Sequence, residues 1–342
     1  MDELLVKLIA SDIVYHKFAN DKEIIKQGMA PILAEKSQSI TIQKANLLEQ
    51  AKHHNWQIKA KQLFTWLHQN SIRFIVFKGF AFTHLLYNHS NIRPYTDIDI
   101  LINKNDYDRV YDILIKLNYH SYPSRCGKFV SFQNSFFDSE TPQTIIDLHW
   151  QINNRIEFHQ YFPFKDLIKD AIRIKTREFE FHTLGTINAV IIGCFHYQAH
   201  RPKDRKHIWL YDLAILWSNM NEMEQATCIN KAKQTMQLTI VQTTLMQIFH
   251  TFENCFANNL EDIEKQQEPT ENYLLPRNKK ITDINIRLKN IKGIKNKIKF
   301  LSEYIFQSHT YVQNRYNLNS TSWIYLYYPK MWIQDILKLF KP

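Results

Sequence analysis

Tyr95-Thr96-Asp97-Ile98-Asp99-Ile100-Leu101 is the stretch of the chain on which the fold turns. Residues two apart on a strand project from one face, so Ile98, Ile100 and Ile102 address a core while Asp97 and Asp99 stand together on the other side. Two carboxylates that close repel unless a cation neutralises them. Hard oxygen ligands with open space beside them suit Mg²⁺, which keeps several waters and completes its shell with substrate phosphates. An isolated D-x-D also describes an exposed strand with two solvated aspartates, so the surrounding segments decide.

Upstream, Phe74-Ile75-Val76-Phe77 is a short continuous apolar run that reads as a buried strand, and Lys78-Gly79 turns it into a helix through Ala81, Leu85 and Leu86. Downstream, Ile145 to Trp150 repeats the alternation, with Ile146, Leu148 and Trp150 on one face and Asp147 and His149 on the other. As neighbours in one sheet, these strands would bring Asp97, Asp99 and Asp147 around two metal ions about 3.5–4 Å apart. That arrangement serves in-line phosphoryl or nucleotidyl displacement.

Further out, the periodicity changes twice. Residues 1–60 read as helical, with Leu4, Leu5, Leu8, Ile9, Ile40, Leu47, Leu48 and Ala51 at three- and four-residue steps. Residues 61–185 alternate between a helix through Leu63, Trp66 and Leu67, strands at 74–77, 96–102, 128–137 and 144–150, and a helix at 107–117. Residues 186–342 return to helix, through Ile191, Phe195 and Gln198 and then Trp209, Leu213 and Leu216. A polar stretch, 258–280, carries Pro269 and Pro276 and reads as a loop. Ile284, Leu288, Ile291, Ile298 and Ile305 then mark an amphipathic helix. The expectation is an α+β fold: a small mixed-sheet core at 61–185, flanked by N-terminal helices at 1–60 and a helical C-terminal domain at 186–342.

Composition narrows the chemistry. Average glycine usage of about 7% would give roughly two dozen in a chain this long, whereas its 342 residues hold six, none at G-x-G-x-x-G or G-x-x-x-x-G-K spacing. A Rossmann fingerprint and a P-loop are therefore excluded, and any nucleotide phosphates must be held by metal ions and cationic side chains. Cys126, Cys194, Cys228 and Cys255 form no C-x-x-C pair, which suits a reducing compartment. The chain shows no signal peptide and no apolar run of the roughly 20 residues that span a bilayer, so a cytoplasmic protein is expected. Its net charge of +10 favours an anionic partner.

Lys78, Gly79, Leu86, Tyr87, Arg93, Asp97, Asp99, Leu101 and the run Asp147-Leu148-His149-Trp150 together resemble a bacterial family of uncharacterised nucleotidyltransferases within the DNA polymerase β-like superfamily. Phe195-His196 to His200-Arg201 and Trp209-Leu210-Tyr211-Asp212-Leu213 are similar to that family's helical segments. The resemblance implies that Asp97 and Asp99 hold two Mg²⁺ ions, or Mn²⁺ in their place, bridging the phosphates of an NTP such as ATP. It implies that Asp147 completes one metal site and helps deprotonate an acceptor hydroxyl. The wider superfamily carries Gly-Ser or Gly-Gly in the first turn and a shorter interval to the paired acids. With Lys78-Gly79 here, Lys78 is read as supplying the charge that a serine hydroxyl and backbone amides supply elsewhere; the alternative is a lysine capping an exposed strand. Arg93 either approaches the phosphates or pairs with an aspartate. His149 orients Asp147 or the acceptor, or is structural, and Phe80 and Tyr87 either stack on a base or pack in the core.

His196 and His200 have the four-residue spacing of a zinc-protease motif, but no glutamate follows the first histidine. With Arg201 they are candidates for phosphate or acceptor contacts at the mouth of the site, within a basic cluster that runs on through Lys203, Arg205, Lys206 and His207. Residues 276–300 hold nine Lys or Arg against Asp283 alone, most of the net charge, and could face nucleic acid, an anionic membrane or water. The aromatic stretch 323–340 either packs back on its domain or rests on a membrane surface. The expected activity is Mg²⁺-dependent transfer of an NMP from an NTP to a hydroxyl on a small molecule, protein or RNA, with release of pyrophosphate. Two alternatives stand beside it: an RNA-modifying enzyme docking RNA through 276–300, and an inactive nucleotide-binding adaptor.

Overall fold

The computed structural model describes residues 18, 20–34, 37–87, 89, 91–122, 130–140, 143–252, 268, 280–318 and 323–339. Leu4, Leu5, Leu8 and Ile9 lie outside these, as does almost all of the expected 258–280 loop. Two short helices, α1 (Asp21–Lys26) and α2 (Ala30–Leu33), precede the long α3 (Ile40–Gln69). The Asn20 side chain accepts from Glu23 N at the start of α1, and Ser39 Oγ accepts from Ile42 N at the start of α3. The apolar residues that mark α3 in the sequence, Ile40, Leu47 and Leu48, are exposed, while Trp56, Ala60, Leu63, Phe64 and Leu67 are buried. Only the second half of the helix lies across the sheet; Ala45, Leu48, Glu49 and Lys52 of the first half line a cavity instead.

Among the described residues the sheet has seven strands in the order β3-β4-β5-β2-β1-β7-β6. Its centre is β1 (Phe74–Phe77), antiparallel to β2 (Ile98–Ile102), which runs parallel to β5 (Ile145–His149). Between β1 and β2 lies α4 (Lys78–Leu85), and α5 (Tyr107–Lys116) follows β2. One edge is β3 (His120–Ser121) with β4 (Gln133–Phe137), the latter antiparallel to β5. After the short α6 (Phe164–Leu167), the other edge is the hairpin β6 (Ile172–Lys175) and β7 (Glu180–Thr183), with β7 parallel to β1.

The strand expected over 128–137 begins only at Gln133, because the backbone of Val130 is held by side chains: its N–H donates to Glu303 Oε2 at 3.0 Å and its carbonyl accepts from Arg287 Nη2 at 2.9 Å. Lys128 lies outside the described residues. The β6–β7 hairpin was not anticipated, since its edge position lets Arg173, Lys175, Glu180 and His182 interrupt the apolar pattern.

Both faces of the central strands are covered. Ile98, Ile100, Ile102, Val76, Ile146 and Leu148 pack with residues of α3 and α5, while Ile75, Phe77 and Leu101 belong to the core shared with the C-terminal helices. Those helices are α7 (Thr186–Ala199), α8 (His207–Ser218), α9 (Glu222–Gln234) and α10 (Leu238–Thr251). A Cβ at Gly193 would lie 2.6 Å from Leu213 Cδ2, so glycine lets α7 and α8 approach closely. Beyond them come α11 (Lys280–Asn290), α12 (Ile294–Ile305), α13 (His309–Tyr316) and α14 (Ile324–Leu339). The single amphipathic helix expected across 284–305 is thus two helices, separated at Gly293, whose φ is +82°. Among the described residues no helix is long and apolar enough to cross a membrane.

A buried ion pair fastens α8 to the sheet. Arg93 donates to Asp212 through Nε (3.2 Å) and Nη2 (2.6 Å), and the Tyr87 hydroxyl donates to the same carboxylate at 2.7 Å. Burial pushes Asp212 up while Arg93 opposes it; with three donors converging on the carboxylate and a guanidinium beside it, the pair is ionised. Asp212→Ala should therefore destabilise the fold by about 3–5 kcal/mol in urea unfolding, because it strands a buried charge. Replacing both partners, Arg93→Met with Asp212→Leu, should recover part of that loss. Equal stability of Asp212→Ala and the unaltered chain would contradict this account.

A second prediction concerns acid. Burial pushes His53, His84 and His159 down to about 4. His53 and His84 share the Gln57 side chain, and the Tyr95 hydroxyl reaches His53 Nδ1 at 2.9 Å. These rings stay neutral in the folded chain, whereas the unfolded chain takes up protons below about 6.5. The unfolded state then binds more protons, so stability is full above about pH 6.5 and falls as the pH drops toward 4. Urea midpoints should decline between pH 6.5 and 5, above the carboxylate range, and His84→Gln should flatten the slope; a level profile would count against it.

Candidate active site

The site begins where β1 ends. Phe77 is extended and Lys78 turns to φ +57°, the left-handed region that costs a side chain on the order of 1–2 kcal/mol. Gly79 follows because nothing larger fits: a Cβ there would lie 2.6 Å from Arg93 Nη1 and 3.0 Å from Tyr95 Cβ. The Arg93 guanidinium, fixed by Asp212, therefore presses on the turn from above.

From this turn the Lys78 ammonium donates to Asp99 Oδ1 at 2.6 Å. Asp99 faces Phe77 in the β1–β2 register and Asp147 in the β2–β5 register, which sets the two carboxylates side by side on neighbouring strands. His149, two residues beyond Asp147, places Nε2 2.9 Å from the same Asp99 oxygen. The Ser135 hydroxyl of β4 donates to Asp147 Oδ1. One ligand atom each from Asp99, Asp147 and His149 lies within 4.8 Å of the others.

Electrostatics separates the acids. Burial alone would raise Asp99, but the Lys78 ammonium and the His149 hydrogen bond hold it well below the usual carboxylate range. An ionised Asp99 accepts, so His149 Nε2 carries the proton and donates, while its Nδ1 is buried with no partner among the described residues. Asp97 precedes β2 and is pushed up to about 7 by burial and by the Asp99 charge, with Lys78 opposing. The close cluster is therefore Asp99, Asp147 and His149, with Asp97 coupled to it by charge from the strand's lead-in.

Lys78, Gly79, Asp97 and Asp99 line a cavity of about 570 Å³, and His196, His200, Lys206 and Trp209 line it too. The rings of His196, His200 and Trp209 meet pairwise at centroid distances of 4.7, 4.8 and 4.9 Å. Burial, and then the Lys78 charge, drive both histidines down, His196 farthest, so neutral rings stand opposite the lysine.

Other residues singled out in the sequence fall elsewhere. Arg93 touches the cavity wall but spends its guanidinium on Asp212 and the Pro94 carbonyl. Arg201 is exposed, pairs with Asp204 at 2.7 Å, and does not line the cavity. Phe80 is fully buried among Phe64, Tyr95, Phe179 and Phe181, a packing role. Tyr87 serves Asp212. Ser135 was not recognised in the sequence, whereas Lys206 was named within the basic cluster and Trp209 and Asp212 within a segment similar to the family's, without individual roles. Asp212 carried a further signal, since an acid within the otherwise apolar run His207–Ser218 needs a buried cationic partner.

Several solved structures are similar to the chain. The antibiotic-resistance factor ANT(2'')-Ia matches with a TM-score of 0.40 at 8% identity, covering 59% of this chain and 98% of that one. An antigenic nucleotidyltransferase-like protein from Paracoccidioides brasiliensis matches with a TM-score of 0.34 at 15% identity, covering 57% and 96%. No curated protein matches the chain. Residues 24–253, from α1 to the residue after Phe252 and so including the whole sheet, the cavity and α7 to α10, match a family described as uncharacterised nucleotidyltransferase, and the chain belongs to that family.

Proposed function

We propose that the chain transfers a nucleoside monophosphate from an NTP to a hydroxyl acceptor. The observation that carries this reading is the pairing of Asp99 with Asp147 across parallel strands, with the Lys78 ammonium on Asp99 beside a cavity. In balance, the acceptor oxygen bonds to the α-phosphorus, the bond from that phosphorus to the bridging oxygen breaks, and its electron pair leaves with pyrophosphate. The hydroxyl proton goes to a carboxylate, for which Asp147 is the candidate.

The donor set fits a hard divalent ion. Two adjacent carboxylates would supply oxygen ligands, and the Lys78 ammonium already pairs with one of them, Asp99. His149 spends its inward nitrogen on Asp99, which leaves an oxygen-rich site suited to Mg²⁺ or Mn²⁺. Asp99 and Asp147 would hold the ion, with Asp97 at its edge joining once a cation lowers its proton affinity. Such an ion supplies charge neutralisation to the phosphates and acidity to the acceptor hydroxyl. Lys78 is positioned to transfer its donors from Asp99 to a phosphate oxygen, His149 keeps Asp99 oriented, and the His196, His200 and Trp209 wall narrows the access of water. A cytoplasmic setting is proposed with the same reading.

Purified chain incubated with labelled NTPs, Mg²⁺ and a panel of hydroxyl acceptors should release pyrophosphate. Asp99→Asn and Asp147→Asn should each lower that release by about a hundredfold or more, a loss comparable to that of a single strong electrostatic contribution, with the far-UV circular dichroism unchanged. Full turnover in Asp99→Asn would overturn the site assignment. Lys78→Gly separates strain from charge: both it and Lys78→Ala leave the buried Asp99 carboxylate without its ammonium partner, but glycine also relieves the strain at φ +57°, so Lys78→Gly should be more stable than Lys78→Ala by up to about 1 kcal/mol. The same change should raise KM for the NTP. Loss of stability without a change in KM would make Lys78 structural.

A further inference from the structure

α12 has two apolar faces, and among the described residues only one of them is packed. Phe300 is fully buried with Ile291 and Val130, and Ile284, Leu288, Ile156 and Tyr304 pack against them. Arg287 is part of this interior, its guanidinium 4.8 Å from the Phe300 ring. On the other face Ile294, Ile298, Leu301 and Ile305 are 71%, 60%, 38% and 45% exposed. At about 100° per residue their spacing confines all four to a sector of roughly 60°, a continuous stripe along the helix. Phe306, also exposed, follows the end of the helix and meets Trp332 of α14 at 5.7 Å, and the Trp332 indole N–H donates to the Ile305 carbonyl at 2.7 Å. α14 buries Ile324, Tyr328 and Met331 and leaves Trp323, Leu326 and Ile333 exposed.

Isolated exposed isoleucines need no explanation, but a continuous stripe marks a contact surface. Its borders say what kind. Lys295 and Lys299 flank the stripe on one side and Lys297 on the other, with exposed Lys289 and Lys292 just before the helix. Nucleic acid offers phosphates to such lysines but no apolar layer for four aliphatic side chains. An anionic bilayer offers both, headgroup phosphates above and acyl chains below, to a helix lying flat in the interface. A helix of 12 residues is far too short to cross.

We propose that α12 seats the chain on a bilayer containing anionic phospholipid, with Ile294, Ile298, Leu301 and Ile305 in the acyl boundary and Lys295, Lys297 and Lys299 among the headgroups. This surface stands on observations separate from the carboxylate site, so either reading can fail without the other.

The test is co-sedimentation of the full chain with vesicles of phosphatidylcholine alone and of phosphatidylcholine mixed with phosphatidylserine. The chain should pellet with the mixed vesicles, stay in solution with the neutral ones, and be released as salt shortens the electrostatic range. Ile298→Asp should weaken binding about tenfold or more, the loss of one buried aliphatic side chain. Lys295→Ala and Lys299→Ala should each weaken it about fivefold. Because all three residues are exposed, thermal melting should be unchanged in each variant. A chain that stays in solution with both vesicle types overturns the proposal. So does a dimer in light scattering that Ile298→Asp dissolves while vesicle binding is untouched, which would make the stripe a contact between copies. Binding to a single-stranded RNA homopolymer that the lysine variants lose and Ile298→Asp retains, with no vesicle binding, also overturns it.

Discussion

Arg93 and Asp212 come from opposite halves of the chain and meet in the interior, and much of the rest of the structure is arranged around that meeting. Asp212 sits in the apolar helix α8, where an unpaired carboxylate is untenable, and Arg93 sits in the loop between α4 and β2. Once they pair, the guanidinium lies directly over Gly79. The residue at position 79 can then have no side chain, and Lys78 is held in a left-handed turn at the end of β1. Its ammonium, in consequence, hangs over Asp99. The connection between helices and sheet and the shape of the site are one constraint.

That constraint explains why neighbouring groups behave so differently. Asp99, with both Lys78 and His149 on one oxygen, is held well below the usual carboxylate range, whereas Asp97, two residues earlier and without such partners, is pushed up to about 7. Across the cavity His196 and His200 are kept neutral by burial and by facing the same lysine. Lys78 is thus the cation in direct contact with Asp99, while Arg93 and Lys206 stand elsewhere on the cavity wall, and Lys295, Lys297 and Lys299 flank an apolar stripe on α12.

Much of the central sheet was legible because its signals are local. The run Phe74–Phe77 and the alternation through Ile98, Ile100 and Ile102 and through Ile146 and Leu148 follow from period-two burial, and the strands appear where those patterns are. The shared face of Asp99, Asp147 and His149 follows from the same alternation. What was not legible depends on partners distant in sequence. Neither Ser135 on Asp147 nor Asp212 on Arg93 can be paired from spacing, and His149 was read beside Asp147 when its bond is to Asp99. The β6–β7 hairpin escaped because an edge strand alternates weakly, and the break at Gly293 escaped because isoleucines at helical spacing continue through it.

Glycine scarcity acquires a physical meaning in this frame. In the proposed reaction, without a glycine-rich nest, phosphate binding would fall to Lys78 and to a cation held by Asp99 and Asp147, residues that the fold brings together at one end of β1 and β2. The most direct measurement is a crystal structure of the chain with Mn²⁺ and a non-hydrolysable NTP analogue, with the metal located by its anomalous signal. The account predicts an anomalous peak between the carboxylates of Asp99 and Asp147 and the Lys78 ammonium moved from Asp99 to a phosphate oxygen. Nucleotide bound with no metal at those carboxylates, and Lys78 still seated on Asp99, would contradict it.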